Sequence, residues 1–237
     1  VTNVIHWPHS LLPSQGKTTF RKRPTTNTGG MTLGGRELVT RTDLGFWRAV
    51  IPNIVLRRRD LRQEEAWNGI EVALQGQVGL VIVSVSHVTS RVQKLAKQAR
   101  SYVPHADGTE FSDGTSYESE PAFVQLEEEA YLGATVLKLR GLQSGLRLSG
   151  IYFSYLHALY NTGPIIEAEG NVVRVPIFPA VRAKIPAGAL LNVAEPSCLM
   201  KLASDSELDL NFGSSSFTRK SVHFVEAIDY WDEASAP

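Results

Sequence analysis

From Ala134 onward the chain repeats one pattern: short segments of alternating apolar and polar residues, spaced about ten to twenty residues apart and bounded by Gly, Pro, Asn or Ser. The segments are ATVLKLRGL, GLRLSGIYFSYLHALY, NVVRVPIF, SCLMKLA, ELDLNF and SVHFVEAI. In the first, Thr135, Leu137 and Leu139 share one face while Lys138 and Arg140 share the other. In ELDLNF, Leu208, Leu210 and Phe212 alternate with Glu207, Asp209 and Asn211. A period of two puts every second side chain on the same face, so each segment predicts a half-buried strand. Many such strands with turn punctuation predict a mainly β fold, an antiparallel β-sandwich or barrel. With 237 residues, 43% of them hydrophobic, the chain can build a large core without staples.

One helix is predicted to pack on that framework, over about residues 60–76. Asp60 is suited to the N-cap, and Gln63 stands three residues on, where a capping box places its Gln. Leu61, Ala66, Trp67, Ile70, Ala73 and Leu74 form an apolar stripe, and Gly76 or Gly79 ends it. The β-branched run VGLVIVSVSHV follows and predicts a strand covered on both faces. Before the helix, GFWRAVIPNIVLR has a strand period in which Pro52 marks an edge or a bulge. After it, SRVQKLAKQARSY predicts a short basic amphipathic helix. The expected organisation is an extended N-terminal arm over 1–35, one β-rich domain over 36–230 with an exposed loop at 103–122, and a tail at 231–237.

Sites for familiar chemistry are incomplete. Gln15-Gly16-Lys17-Thr18 resembles the end of a phosphate-binding loop, but Leu11 stands where the motif needs its first glycine. The paired glycines Gly29-Gly30 and Gly34-Gly35 read as a flexible turn. The six histidines, among them His6, His9 and His157, form no HExxH pattern, and there is no G-x-S-x-G elbow. The one cysteine, Cys198, sits in an alternating strand and is expected in the core. Asp107, Glu110 and Asp113 offer oxygen atoms without the spacing of a calcium loop. Asp205, Glu207 and Asp209 are expected on the solvated face of a strand. The expectation is therefore no enzyme, with no catalytic residue, no cofactor and no metal. Val1–Pro13 has no apolar core of the signal-peptide kind, and the longest apolar stretch, Val78–Val83, is too short to span a bilayer, so no membrane anchor is expected.

Charge supplies the strongest hint of association. The net charge is zero, yet the residues through Val103 carry 15 Lys and Arg against 6 Asp and Glu, while the remainder carries 9 against 18. The two halves either neutralise each other within one domain or form a basic face and an acidic face that meet between copies. The compact basic clusters Arg21-Lys22-Arg23 and Arg57-Arg58-Arg59 are the candidate subunit-interface residues. A zero overall balance argues against specific nucleic-acid binding.

Four stretches, in order, carry a resemblance to a known family. The first is Gly45-Phe46-Trp47-Arg48-Ala49 leading to Ile51-Pro52, with the Trp67 helix and Leu74-Gln75-Gly76-Gln77 running into VGLVIVSV. The second is His105-Ala106-Asp107-Gly108-Thr109 with Phe111-Ser112-Asp113-Gly114. The third is Gly150-Ile151-Tyr152-Phe153-Ser154 with Leu159-Tyr160. The fourth is IFPAVRAKIPA from Ile177, then Glu195-Pro196-Ser197-Cys198-Leu199-Met200-Lys201-Leu202 and the closing Phe224-Val225-Glu226-Ala227. Together they resemble the distal-tail, or baseplate-ring, proteins of long-tailed bacteriophages and phage-like particles, over the span from Gly45 to Ala227. The resemblance implies a β-sandwich with a packed helix, assembled as a homo-oligomeric ring of six copies at the distal end of the tail tube. Its partners would be further copies of itself, the tail tube protein, and the baseplate hub or tail-fibre proteins. Its place would be the virion, after synthesis in the host cytoplasm. It implies no catalytic residues. Two alternatives stand beside it. One is a carbohydrate-binding β-sandwich, a receptor-binding tail part stacking sugars on Tyr152, Tyr155, Tyr160, Trp7 or Trp231. The other is a hydrolase using a carboxylate pair.

Overall fold

A computed structural model describes residues 4–12, 18–31, 33–57, 60–85, 91–98, 102–103, 117–118, 124–142, 146–210 and 217–234. The fold is mainly β, as its alternating segments predict. In chain order the strands are β1 (Val4–His6), β2 (Thr19–Met31), β3 (Glu37–Arg57), β4 (Leu80–Ser84), β5 (Tyr102–Val103), β6 (Tyr117–Glu118), β7 (Val124–Leu126) and β8 (Val136–Gly141). They continue with β9 (Tyr152–Tyr155), β10 (Ala158–Thr162), β11 (Glu167–Glu169), β12 (Val172–Phe178), β13 (Leu190–Leu191), β14 (Ser197–Leu202) and β15 (Phe217–Glu226). The helices are α1 (Leu61–Leu74), α2 (Arg91–Gln98) and α3 (Ile228–Ala234).

Two sheets carry the architecture, and β5 pairs with β6 apart from them. A six-stranded sheet runs β1-β4-β14-β15-β3-β2, antiparallel except where β1 lies parallel to β4. A second sheet runs β13-β7-β8-β12-β10-β9, with β11 on β12. It is a nearly closed barrel: the Ser154 and Asn192 backbones exchange two 2.9 Å hydrogen bonds, tying β9 to the residue after β13. A closed sheet leaves few free edges.

The six-stranded sheet lies between two cores. Leu80, Ile82 and Leu199 face the barrel core, with Leu139, Phe153, Val175 and Trp231. Val81, Val83 and Met200 face a second core with Trp47, Trp67, Leu74 and Phe224. This is why the run at 80–83 is apolar at successive positions: neither face of β4 meets water until exposed Ser84 ends it. Trp7 and Leu11 join the second core, so the N-terminal stretch is anchored by them.

Helix α1 forms as its sequence predicts, with two differences. Asp60 Oδ1 accepts the Gln63 backbone N–H at 3.4 Å, but the Gln63 side chain accepts from Arg57 N at 3.2 Å, closing the β3–α1 corner instead of a full capping box. Leu61 is exposed, and the buried stripe is Trp67, Ile70 and Leu74. The helix stops at Gln75, which is left-handed at φ 49°. Gly79 then folds back against the Leu74 backbone, where any Cβ would collide. Pro52 marks a bulge: Pro52 and Asn53 together face Ser221, and Asn53 takes φ 54°.

The strand expected in ELDLNF does not form over its described residues, 207–210; Asn211 and Phe212 lie outside them. Residues Asp205–Leu208 form a 3₁₀ turn, although their alternation has a strand period. The reason lies in long-range partners. Asp205 Oδ1 accepts from Gln77 N, Glu207 Oε2 accepts from His223 N, and Leu208 O accepts from Trp67 Nε1. The two acidic side chains therefore hold loop and strand backbones and do not line an open strand face, while Leu208 is buried.

Candidate subunit interface

Strands β2 and β3 form a ribbon that outruns its sheet. β15 covers β3 only from Arg48 to Arg57, whereas β2 pairs with β3 from Val50 out to Glu37. A bulge at Pro24 divides a root (Thr19–Arg23 on Phe46–Val50) from a tip (Thr25–Met31 on Glu37–Thr42). At the tip, Met31, Leu33 and Val39 are exposed. A lone two-stranded ribbon is marginal in water, because it has no second layer to bury its apolar side chains. The loop-like sequence TTNTGGM extends here because β3 supplies its hydrogen bonds.

The root is held by a buried ionic clamp. Arg182 donates from Nε to Glu226 Oε1 at 2.8 Å and from a terminal nitrogen to Glu226 Oε2 at 3.0 Å. The same nitrogen donates to Gly45 O at 2.6 Å, and Glu226 Oε2 also accepts from Trp47 N at 2.8 Å. Tyr160 Oη accepts from Arg182 N at 3.0 Å, and burial pushes the Tyr160 phenol far above its ordinary range. Trp47 Nε1 donates to Leu159 O at 2.8 Å. One network thus joins the barrel to β15 and to the ribbon. Both charges are nearly water-free and fully hydrogen-bonded, the condition under which a buried pair is tolerated. Gly45 belongs here because a Cβ would strike the Phe178 ring.

The basic candidates separate into two places. Arg21, Lys22 and Arg23 lie exposed on β2, beside Phe46, Trp47 and Arg48 of β3. Arg57 is exposed at the far end of β3, nine residues beyond Arg48, or about 30 Å at strand rise. Arg58 and Arg59 lie outside the described residues. Lys22 alone of the first cluster turns into a cleft, where Nζ donates to Asn161 Oδ1 at 2.5 Å and sits 5.8 Å from the Phe178 ring centroid. Burial lowers its pKa from the usual lysine range.

On the barrel, acidic and basic residues of the second half pair with one another. Lys138 meets Glu128 at 2.6 Å and Lys184 meets Glu129 at 2.7 Å, and Arg140 forks onto both oxygens of Glu127. These partners raise the Lys138 and Lys184 pKa values and lower that of Glu127. All keep access to water, so they contribute little stability. No family model matches the chain, and no curated protein matches it.

The aromatic residues considered as sugar platforms are mostly interior. Trp7, Tyr160 and Trp231 are buried, and half-buried Tyr152 lies tilted against Trp47. Cys198 is in the core beside Met200, and burial pushes its thiol well above the ordinary range. His157 Nδ1 is 2.8 Å from Ser197 Oγ, and its ring meets His6 edge to face. Among the described residues, no three His, Cys, Asp or Glu side chains converge to hold a metal ion, and no helix is long and apolar enough to cross a membrane. Asp107, Glu110 and Asp113 lie outside the described residues. Sequence reasoning missed Asn161, Phe178, Arg182 and Glu226. The last two stand 44 residues apart, Arg182 in the loop after β12 and Glu226 at the end of β15, and no local spacing signals such a pair.

Proposed function

We propose that this chain is a structural subunit of a phage-type tail, forming a ring at the distal end of the tail tube and linking the tube to the hub or fibre apparatus. The observation that carries the reading is the β2–β3 ribbon: an exposed arm with an apolar tip, rooted in a buried ionic clamp. An arm anchored so firmly at one end and so bare at the other is suited to docking on a neighbour. A heterologous contact of that kind closes into a ring when the rotation allows. The opposed charge balance of the two halves favours the same head-to-tail arrangement. Function then resides in geometry, and the ordered resemblance from Gly45 to Ala227 supports the reading of where in the particle the subunit sits.

Native mass spectrometry and negative-stain imaging of the purified protein, alone and mixed with tail tube subunits, test the reading. A closed ring of several copies with a central hole is the expected result. A chain that stays monomeric at every concentration, alone and in the mixture, would overturn it.

A further inference from the structure

At the root of the ribbon a cleft of about 210 Å³ opens between β2 and the barrel, lined by Lys22, Pro24, Asn161, Gly163, Pro176 and Phe178. Among the described residues that line it, Lys22 alone is charged. The ammonium group has an amide oxygen and a ring face as neighbours, and among the described residues no carboxylate meets it. A cation that gives up part of its water without gaining a counter-charge sits at a cost, and this partial burial lowers its pKa. On the barrel the cations are placed differently: Lys138, Lys184, Arg140 and Arg182 each have a carboxylate within the chain.

We infer that this cleft receives an aspartate or glutamate side chain from a second copy of the chain. The proposal rests on the ring reading above and names one contact within it. Charge selects the occupant. The half that carries Lys22 has a surplus of nine positive charges, and the half from Pro104 onward has the matching negative surplus. Arg21 and Arg23, the neighbours of Lys22 on β2, are exposed and add to the positive potential of this part of the ribbon. The cleft has room for a carboxylate and its stem, and Pro24, Pro176 and Phe178 give it rigid apolar walls. An incoming carboxylate would accept from Lys22 Nζ in partly dry surroundings, where a charge-assisted hydrogen bond is stronger than in water. Because Lys22 stands beside the Pro24 bulge, the contact would also fix the direction in which the ribbon leaves the sheet.

Zero-length carbodiimide coupling of assembled protein, mixed from ¹⁴N- and ¹⁵N-labelled copies, tests this directly. Mass spectrometry should find Lys22 joined to an Asp or Glu from residues 104–237 of a differently labelled copy. Lys22→Met, which keeps the stem and removes the charge, should raise the concentration needed for half-assembly about tenfold with the melting temperature unchanged. Should that variant fail to fold, coupling of the wild-type protein still decides. Rings in which Lys22 couples to no other copy, or Lys22→Met rings that form at wild-type concentrations, would overturn the cleft contact and leave the ring reading standing. Absence of any assembly, alone or with tube subunits, would overturn both.

Discussion

Arg182 and Glu226 meet in a two-point ion pair, 2.8 and 3.0 Å, at the junction where the barrel, β15 and the root of the β2–β3 ribbon come together. Each is almost wholly buried, and Glu226 also holds the Trp47 backbone. Removing one partner would strand the other charge out of water. Arg182→Met or Glu226→Gln is therefore expected to cost about 3–5 kcal/mol, measured by urea denaturation. Replacing both together should cost less than the two single losses combined, because no bare charge remains. A strictly additive double variant would show that the two side chains act separately.

Trp67 anchors α1 from the other side. Its ring is fully buried against Trp7, and its Nε1 donates to Leu208 O at 2.9 Å. Trp67→Ala empties that volume and frees the Leu208 carbonyl, with an expected loss of about 3–5 kcal/mol. Trp67→Phe keeps most of the ring and should lose much less. Equal losses in the two variants would mean that the indole hydrogen bond outweighs the packing.

The sequence makes α1, β4, the Pro52 bulge and most of the barrel strands legible because each depends on neighbours close in the chain. A cap needs Asp60 and Gln63, a helix stripe needs Trp67, Ile70 and Leu74, and a strand needs only alternation. Asp205–Leu208 alternates as well, yet turns, because Gln77, His223 and Trp67 reach it from far away in sequence. β2 carries little pattern of its own and becomes a 13-residue strand through pairing with β3. The interface candidates were legible only as charge. Nothing local separates Lys22, which enters a cleft, from Arg21 and Arg23, which do not.

His157 gives the fold a pH dependence of predictable sign. Burial, and then the nearby His6 ring, lowers its pKa below the ordinary histidine value. The unfolded chain therefore takes up a proton at a higher pH than the folded one. The stability from neutral His157 is fully present above the unfolded pKa of about 6.5 and is lost as pH falls through the lower folded value. Thermal melts should show this loss on acidification from pH 7. His157 also holds φ 68°, which Asn tolerates well, so His157→Asn keeps the turn while removing the titration. A melting profile as steep below pH 7 in His157→Asn as in wild type would assign the dependence to other groups.

The opposed charges of the two halves make a last prediction at the far end of β3. Arg57 is exposed there as the last residue of the strand, and it opens the run Arg57-Arg58-Arg59 that precedes the α1 cap Asp60 in sequence. Its backbone N–H is tied to the Gln63 side chain, so reversing the charge of the side chains leaves the corner hydrogen bond in place. The triple variant R57E/R58E/R59E should then melt close to wild type, since an exposed charge such as that of Arg57 contributes little to folding. Assembly is a different matter, because like charges brought together at an interface repel and slow docking. Native mass should show fewer or no rings, with the deficit growing at low ionic strength, where screening is weakest. Full assembly of the triple variant at low salt would remove this cluster from the interface and leave the ribbon root as the basic contact.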